Sequence, residues 1–160
     1  MMKKSNVKQL VYGAVTAALY AALTLAVSWI SYGTVQFRVA EVLTALPAVA
    51  PFAVPGLTVG CIVANMVGGY GLYDILFGTL ATLLGALGTR FFRNRPLLAM
   101  LSPVVCNALI VGSMLYFVVP DSPMLLLNIA TVGLGELVIC YGLGLPFLHY
   151  LKKHPDLFRL

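Results

Sequence analysis

Charge is what this sequence has least of. Only 9% of its 160 residues are Asp, Glu, Lys or Arg, while 61% are hydrophobic and the mean hydropathy is +0.97. A water-soluble domain carries about one-quarter charged residues, so an ordinary cytosolic globule, a disordered chain and a nucleic-acid-binding module are all excluded. Catalytic raw material is equally thin. The sequence has no G-x-x-x-x-G-K-[ST] phosphate loop, no H-E-x-x-H and no G-x-S-x-G, so nothing in it points to ATP hydrolysis by this chain, a zinc site or a nucleophile–base pair. His149 and His154 both fall near the C-terminal end. The cysteines, Cys61, Cys106 and Cys140, lie inside apolar stretches without ligand spacing, and they read as small buried hydrophobes. No enzyme activity, metal or cofactor is expected.

What the sequence does have is long apolar runs. Charge-free stretches cover residues 9–37, 42–73, 75–89, 96–120, 122–135 and 137–151, and a spanning helix needs about 20 mostly apolar residues. The first run exceeds the roughly 7–15 residues of a signal-peptide core and is kept as a mature helix. Cations gather in three clusters: Lys3, Lys4 and Lys8; Arg90, Arg93 and Arg95; Lys152, Lys153 and Arg159. With all three on the cytoplasmic side, an even number of crossings separates each from the next. Pro120-Asp121-Ser122-Pro123 splits the second half into two spans. Gly33, then Pro47, Pro51 and Pro55, then Gly68-Gly69-Tyr70-Gly71 divide the first half into four. The expectation is one all-α integral membrane domain over residues 1–160. It has six helices at about 9–30, 38–51, 56–70, 73–90, 97–119 and 124–150, and both termini are cytoplasmic. Spans two and three, at roughly 21 Å, are short for a ~30 Å hydrocarbon core and must tuck among the longer ones or continue into buried loops.

The few polar groups are placed one-sidedly on this topology. Arg38 and Glu41 open helix two at the outer side, Asp74 opens helix four there, and Asn65 and Asn128 lie about one turn in. Glu136, roughly 18 Å down helix six, and Asn107 on helix five fall near the midplane. A charge at that depth costs at least about 2.5–3.5 kcal/mol and normally faces a cavity or a partner, so Glu136 is the first candidate for ligand binding. The alternatives stay open: Glu136 held by Arg38 for packing alone, Arg38 and Glu41 paired three residues apart, Asp74 an exposed helix cap, and the asparagines interhelical glue. Phe37 and Tyr73, with Trp29, Tyr32, Tyr70, Tyr116 and Phe117, sit at the same level. They form either an interfacial belt or stacking surfaces for a flat heterocycle. Together these groups describe an outward-opening pocket for a small planar ligand rich in hydrogen-bond donors. Its lid is a glycine-containing loop, 31–37 or 68–73.

Helix one repeats Ala14, Ala18, Ala22 and Ala26 at intervals of four. Small side chains on one face admit a close-packed neighbour. That neighbour is either the Gly56, Gly60, Ala64 and Gly68 stripe of helix three or a separate protein, and docking of a partner protein is the reading adopted.

Several segments carry a family resemblance: Val35–Thr44 (VQFRVAEVLT); Ile62–Asn65 with Gly68-Gly69; Tyr73-Asp74 followed by Phe77–Thr82; Asn107–Gly112; and Gly133–Glu136 (GLGE) with Gly142–Pro146. Over nearly the whole chain they resemble the QueT family of queuosine-precursor transporters, the substrate-binding S-components of energy-coupling-factor (ECF) importers. The resemblance implies an S-component-like six-helix bundle in a bacterial cell membrane that captures a scarce molecule from outside. A transmembrane coupling protein and two cytoplasmic ATPases then drive its import, with the alanine face of helix one meeting the coupling protein. The implied ligand is a 7-deazaguanine, such as 7-aminomethyl-7-deazaguanine, or a later queuosine intermediate. Glu136, Glu41, Arg38, Asn65, Asn107, Asp74, Asn128, Phe37 and Tyr73 are the candidate binding residues. An S-component for another vitamin or nucleobase, and a stand-alone secondary transporter, are the competing expectations. The second requires polarity reaching both membrane faces.

Overall fold

The computed structural model describes residues 4–32, 37–68, 70–122 and 124–158. Lys3, Gly33, Val35, Gln36, Gly69, Pro123 and Arg159, and with them parts of both expected lid loops, lie outside the described residues. The chain runs through α1 (Lys4–Ala26), the short α2 (Ser28–Ser31), a 3-10 helix (Val39–Ala48) and α3 (Ala53–Val67). A π turn (Asp74–Gly78) then leads into α4 (Thr79–Phe91), followed by α5 (Pro96–Val118) and α6 (Leu125–Ile139). A second π turn (Cys140–Gly144) joins α6 to α7 (Leu145–Lys153), and a 3-10 turn (Pro155–Phe158) follows. No strand occurs among the described residues. Among the described residues, three stretches are long and apolar enough to cross a membrane, Val7–Ala26, Pro96–Val118 and the continuous Leu125–Lys153.

The expected helix at 38–51 is corrected: it is a 3-10 helix of ten residues, eight of them buried. Such helices rarely exceed three or four residues, because their hydrogen bonds are less well aligned. This one is held from all sides, packing against α1, α3, α4, α5, α6, α7 and the second π turn. Thr44 Oγ1 donates to the Glu41 carbonyl three residues back, and the Pro47 nitrogen has no hydrogen to give. Arg90 supports its far end, with Nη1 3.5 Å from Pro47 O and 3.4 Å from Ala48 O, a cation where a helix terminus leaves carbonyls unpaired. The tight winding has one consequence for the site. At three residues per turn, side chains spaced by three stack along one edge, so Glu41 and Thr44 share an edge, with Arg38 immediately before the first turn. An α-helix would fan them apart.

The N-terminal half of α1 and the closing 3-10 turn meet at one end of the bundle. Tyr12 of α1 stacks on Phe52 at 5.4 Å, and Phe158 closes on both rings at 6.2 and 5.9 Å. The Arg90–Arg95 turn joins them there, since Lys152 Nζ donates to the Arg93 carbonyl.

α1 and α3 pack at near backbone contact. A Cβ at Gly56 would stand 2.6 Å from the Gly13 carbonyl oxygen, and one at Gly60 2.6 Å from that of Ala17. The helix-three glycines therefore pack on Gly13 and Ala17, while Ala14, Ala18, Ala22 and Ala26 are all exposed on the other side of α1. Gly60→Ala is expected to cost about 1–3 kcal/mol, the usual range for overpacking, because the obstacle is main chain that cannot swing aside. At Gly142, nothing lies within 4 Å of the added carbon, and Gly142→Ala is expected to be neutral or to gain up to about 1 kcal/mol. Melting temperatures of the two variants in detergent check the contrast.

Candidate functional site

On α1 the residues Thr16, Tyr20 and Thr24 recur every four positions and are buried. They face inward opposite the alanine stripe. Thr16 and Thr24 turn their hydroxyls back onto the Tyr12 and Tyr20 carbonyls, so Tyr20 alone sends a polar group across the bundle. Its phenol donates to Glu41 Oε1 at 2.5 Å.

From that contact a polar cluster extends through the centre of the bundle. Arg38, Glu41, Asn65, Asp74 and Glu136 are all buried, Glu136 at 2% exposure. Arg38 Nη2 lies 3.9 Å from Asp74 Oδ1, and Arg38 Nη1 lies 3.9 Å from the Cys61 sulfur. Asn65 Nδ2 donates to the Asp74 carbonyl at 2.9 Å. Glu136 takes the Cys140 thiol at 3.8 Å, one helical turn on, from a helix that packs against the 3-10 segment carrying Glu41. Arg38 and Glu41 form no ion pair within 4 Å, so the simple pairing of these two neighbours does not occur.

Backbone irregularities place several of these groups. Asp74 is fully buried at the start of the first π turn and makes no side-chain cap, which corrects the reading of it as an exposed helix cap. A π turn carries an extra residue per turn, and Asp74, at its start, lies buried with Oδ1 3.9 Å from Arg38 Nη2. Gly78, ending the same turn, leaves the space that the Asn65 amide fills: a Cβ there would lie 2.7 Å from Asn65 Nδ2.

The cluster holds one guanidinium against three carboxyl groups, and its atoms are incompletely paired. Glu41 Oε2, Asn65 Oδ1, Arg38 Nε and Nη2, and both Asp74 carboxyl oxygens are buried without a hydrogen-bond partner. Folded proteins leave few such atoms, so their concentration at one place marks a site. Chemically it is an acceptor-rich pocket, suited to a compact molecule with several N–H donors and positive charge.

Not every expected residue joins it. Asn107 is buried on α5, which packs against the 3-10 helix and both π turns. Asn128 instead ties the start of α6 to the preceding turn, donating to Ser122 Oγ at 2.7 Å. Tyr73 is 56% exposed and lines an apolar lateral groove of about 740 Å³ with Phe77, Leu80 and Phe117. Phe37 is half-buried, its backbone N–H bonded to the Ile30 carbonyl. The aromatic over the cluster is Tyr32. Its ring lies 5.6 Å from the Arg38 guanidinium carbon, its hydroxyl donates to the Ala64 carbonyl, and Tyr70 donates to its carbonyl in turn. Tyr20, Cys61, Thr82 and Cys140 were missed because two are cysteines counted as apolar filler and two sit singly in hydrophobic runs. The four-residue spacing of Thr16, Tyr20 and Thr24 was the available signal.

A family model described as "QueT transporter" matches residues 10–153. The protein named "Queuosine precursor transporter QueT" from Lactococcus lactis subsp. cremoris is 38% identical over 84 residues, covering 51% of this chain and 49% of that one. The alignment thus spans about half the length of this curated relative. No solved structure matches the chain.

Proposed function

The chain belongs to the QueT transporter family, and from that premise we propose that it is the substrate-capture subunit of an ATP-driven importer for a queuosine precursor. The favoured ligand is 7-aminomethyl-7-deazaguanine. The observation that carries this reading is the buried cluster of three carboxyl groups around Arg38, with acceptor atoms of Glu41, Asn65 and Asp74 left unpaired. A guanine-type edge offers adjacent N–H donors that one carboxylate accepts in pairs, and a protonated aminomethyl group takes a second. Nanomolar capture, about −12 kcal/mol, over a dozen or so heavy atoms is about 1 kcal/mol each, within the ceiling for small ligands. That efficiency requires a closed, dry pocket. Tyr32, which lies over Arg38 and is tied to Tyr70 through its carbonyl, is the part of the cover that moves to admit the ligand.

In this reading six helical segments cross the membrane and both chain ends are cytoplasmic. The clustering of Arg90, Arg93, Arg95, Lys152 and Lys153 at the end where α1 and the closing 3-10 turn meet supports that orientation. The exposed face of Ala14, Ala18, Ala22 and Ala26 meets, at Ala14, the edge of a groove of about 510 Å³ between α1 and α3. It is the surface for a transmembrane coupling protein, which two cytoplasmic ATPases drive.

Calorimetry of the purified protein against 7-deazaguanines and a panel of vitamins tests the ligand, with 7-aminomethyl-7-deazaguanine expected to bind. Binding of a different vitamin, with none of the deazaguanines, refutes that choice. Uptake by this chain alone, driven by an ion gradient in proteoliposomes, refutes the dependence on ATPases.

A further inference from the structure

A cysteine in an apolar helix is ordinarily filler. Cys61, fully buried on α3, has other surroundings. Thr82 Oγ1 donates to its sulfur at 3.3 Å, Asn65 Nδ2 lies at 3.4 Å and Arg38 Nη1 at 3.9 Å. Donors from α4, from α3 and from the start of the 3-10 helix thus converge on one weak acceptor.

The effect on Asn65 follows by counting. A primary amide has two N–H donors and one carbonyl oxygen. One N–H serves the Asp74 carbonyl and the other faces Cys61, which leaves Oδ1 as the free atom. Because the Asp74 carbonyl only accepts, the amide cannot flip without setting two acceptors against each other. Arg38 is divided in the same way. With Nη1 toward the sulfur, Nε and Nη2 remain without hydrogen-bond partners.

We propose that Cys61 is a specificity-determining residue of this site: its sulfur occupies the spare N–H of Asn65 and one arm of Arg38, so that Asn65 meets a bound molecule only as an acceptor and Arg38 only through its Nε–Nη2 edge. The inference rests on the capture reading above and adds a polarity to it. The bound molecule places an N–H against Asn65 Oδ1 and a carbonyl oxygen against Arg38. A heterocycle with an exocyclic oxygen beside ring and amino N–H groups satisfies both. Its counterpart with an amino group in place of that oxygen also loses the adjacent ring N–H, so it sets acceptor against acceptor at Asn65 Oδ1 and donor against donor at Arg38, and unpaired polar groups in a closed site are what reject a near-isostere.

The test is a ratio of affinities. Wild type is titrated calorimetrically with 7-aminomethyl-7-deazaguanine and with the analogue in which an amino group replaces the exocyclic oxygen. The oxo compound is expected to bind at least about 100-fold more tightly. Cys61→Ala frees the second N–H of Asn65, which can then meet the acceptor ring nitrogen of the amino compound, whereas the Arg38 arm it releases is a donor in either case. The preference is then expected to shrink by about tenfold or more, the size of one buried hydrogen bond. Cys61→Ser accepts from the same donors and should restore the ratio to within about threefold of wild type. Cys61→Val fills the space without accepting as an oxygen would; it should reproduce the collapse, and it serves if the alanine variant does not fold. A role in packing alone weakens both ligands equally. An unchanged ratio in Cys61→Ala or Cys61→Val therefore overturns the proposal while leaving the capture reading intact. Failure of wild type to bind either compound overturns both.

Discussion

Glu136→Gln is expected to abolish capture of 7-aminomethyl-7-deazaguanine while leaving the helices folded. The substitution keeps the side chain's shape and removes its charge at a position that is 2% exposed. Losing one member of a buried, hydrogen-bonded charge pair costs about 2–5 kcal/mol, which weakens binding by about 30-fold to several thousand-fold. Stability of the unliganded protein should move the other way. A neutral amide of the same shape is cheaper to bury than a carboxylate, which favours the folded state. The expected signature is a melting temperature equal to or above wild type, with the ligand-induced rise lost. Unchanged affinity would reduce Glu136 to a packing residue.

Ala18→Leu is expected to produce the opposite division, with binding retained and uptake lost. Ala18 lies on the exposed face of α1, whereas the contact to the polar cluster is made by Tyr20 from the buried face. A leucine there leaves the cluster untouched but holds apart two helices that small residues had let approach. Ligand affinity should stay within about twofold, and ATP-driven uptake in reconstituted vesicles should fall at least tenfold, a loss of about 1.4 kcal/mol in association. Copurification of the coupling protein with the Ala18→Leu chain at wild-type yield would remove this face from the docking assignment.

Much of the frame was legible from punctuation and charge. The expected 97–119 and 124–150 helices fall on Pro96–Val118 and on the continuous Leu125–Lys153. There Pro96 opens the first, and the Pro120–Pro123 break separates the two. Burial of Glu136, Arg38 and Glu41 was legible as well, because ionisable groups are too few in this chain to be scattered idly. The winding of the second segment was not. Apolar periodicity does not separate a 3-10 helix from a buried α-helix, although the spacing of Arg38, Glu41 and Thr44 by threes was the clue. Asp74 was misjudged for a related reason. A carboxylate in a first turn is normally a solvent-facing cap, and here it lies buried at the start of a π turn. The cysteines were hidden by classification, since a sulfur that accepts three donors looks like any other apolar residue in a list.

The polar cluster draws its members from α1, the 3-10 helix, α3, the first π turn, α4 and α6. A molecule held there braces segments that are otherwise joined at this level by imperfectly paired groups. At a concentration one hundred times its dissociation constant it adds about 2.7 kcal/mol to the cost of unfolding. Supply would therefore govern how long the protein lasts as well as how much it carries: cells starved of the compound would turn the empty chain over faster, and cells rich in it would accumulate the loaded form.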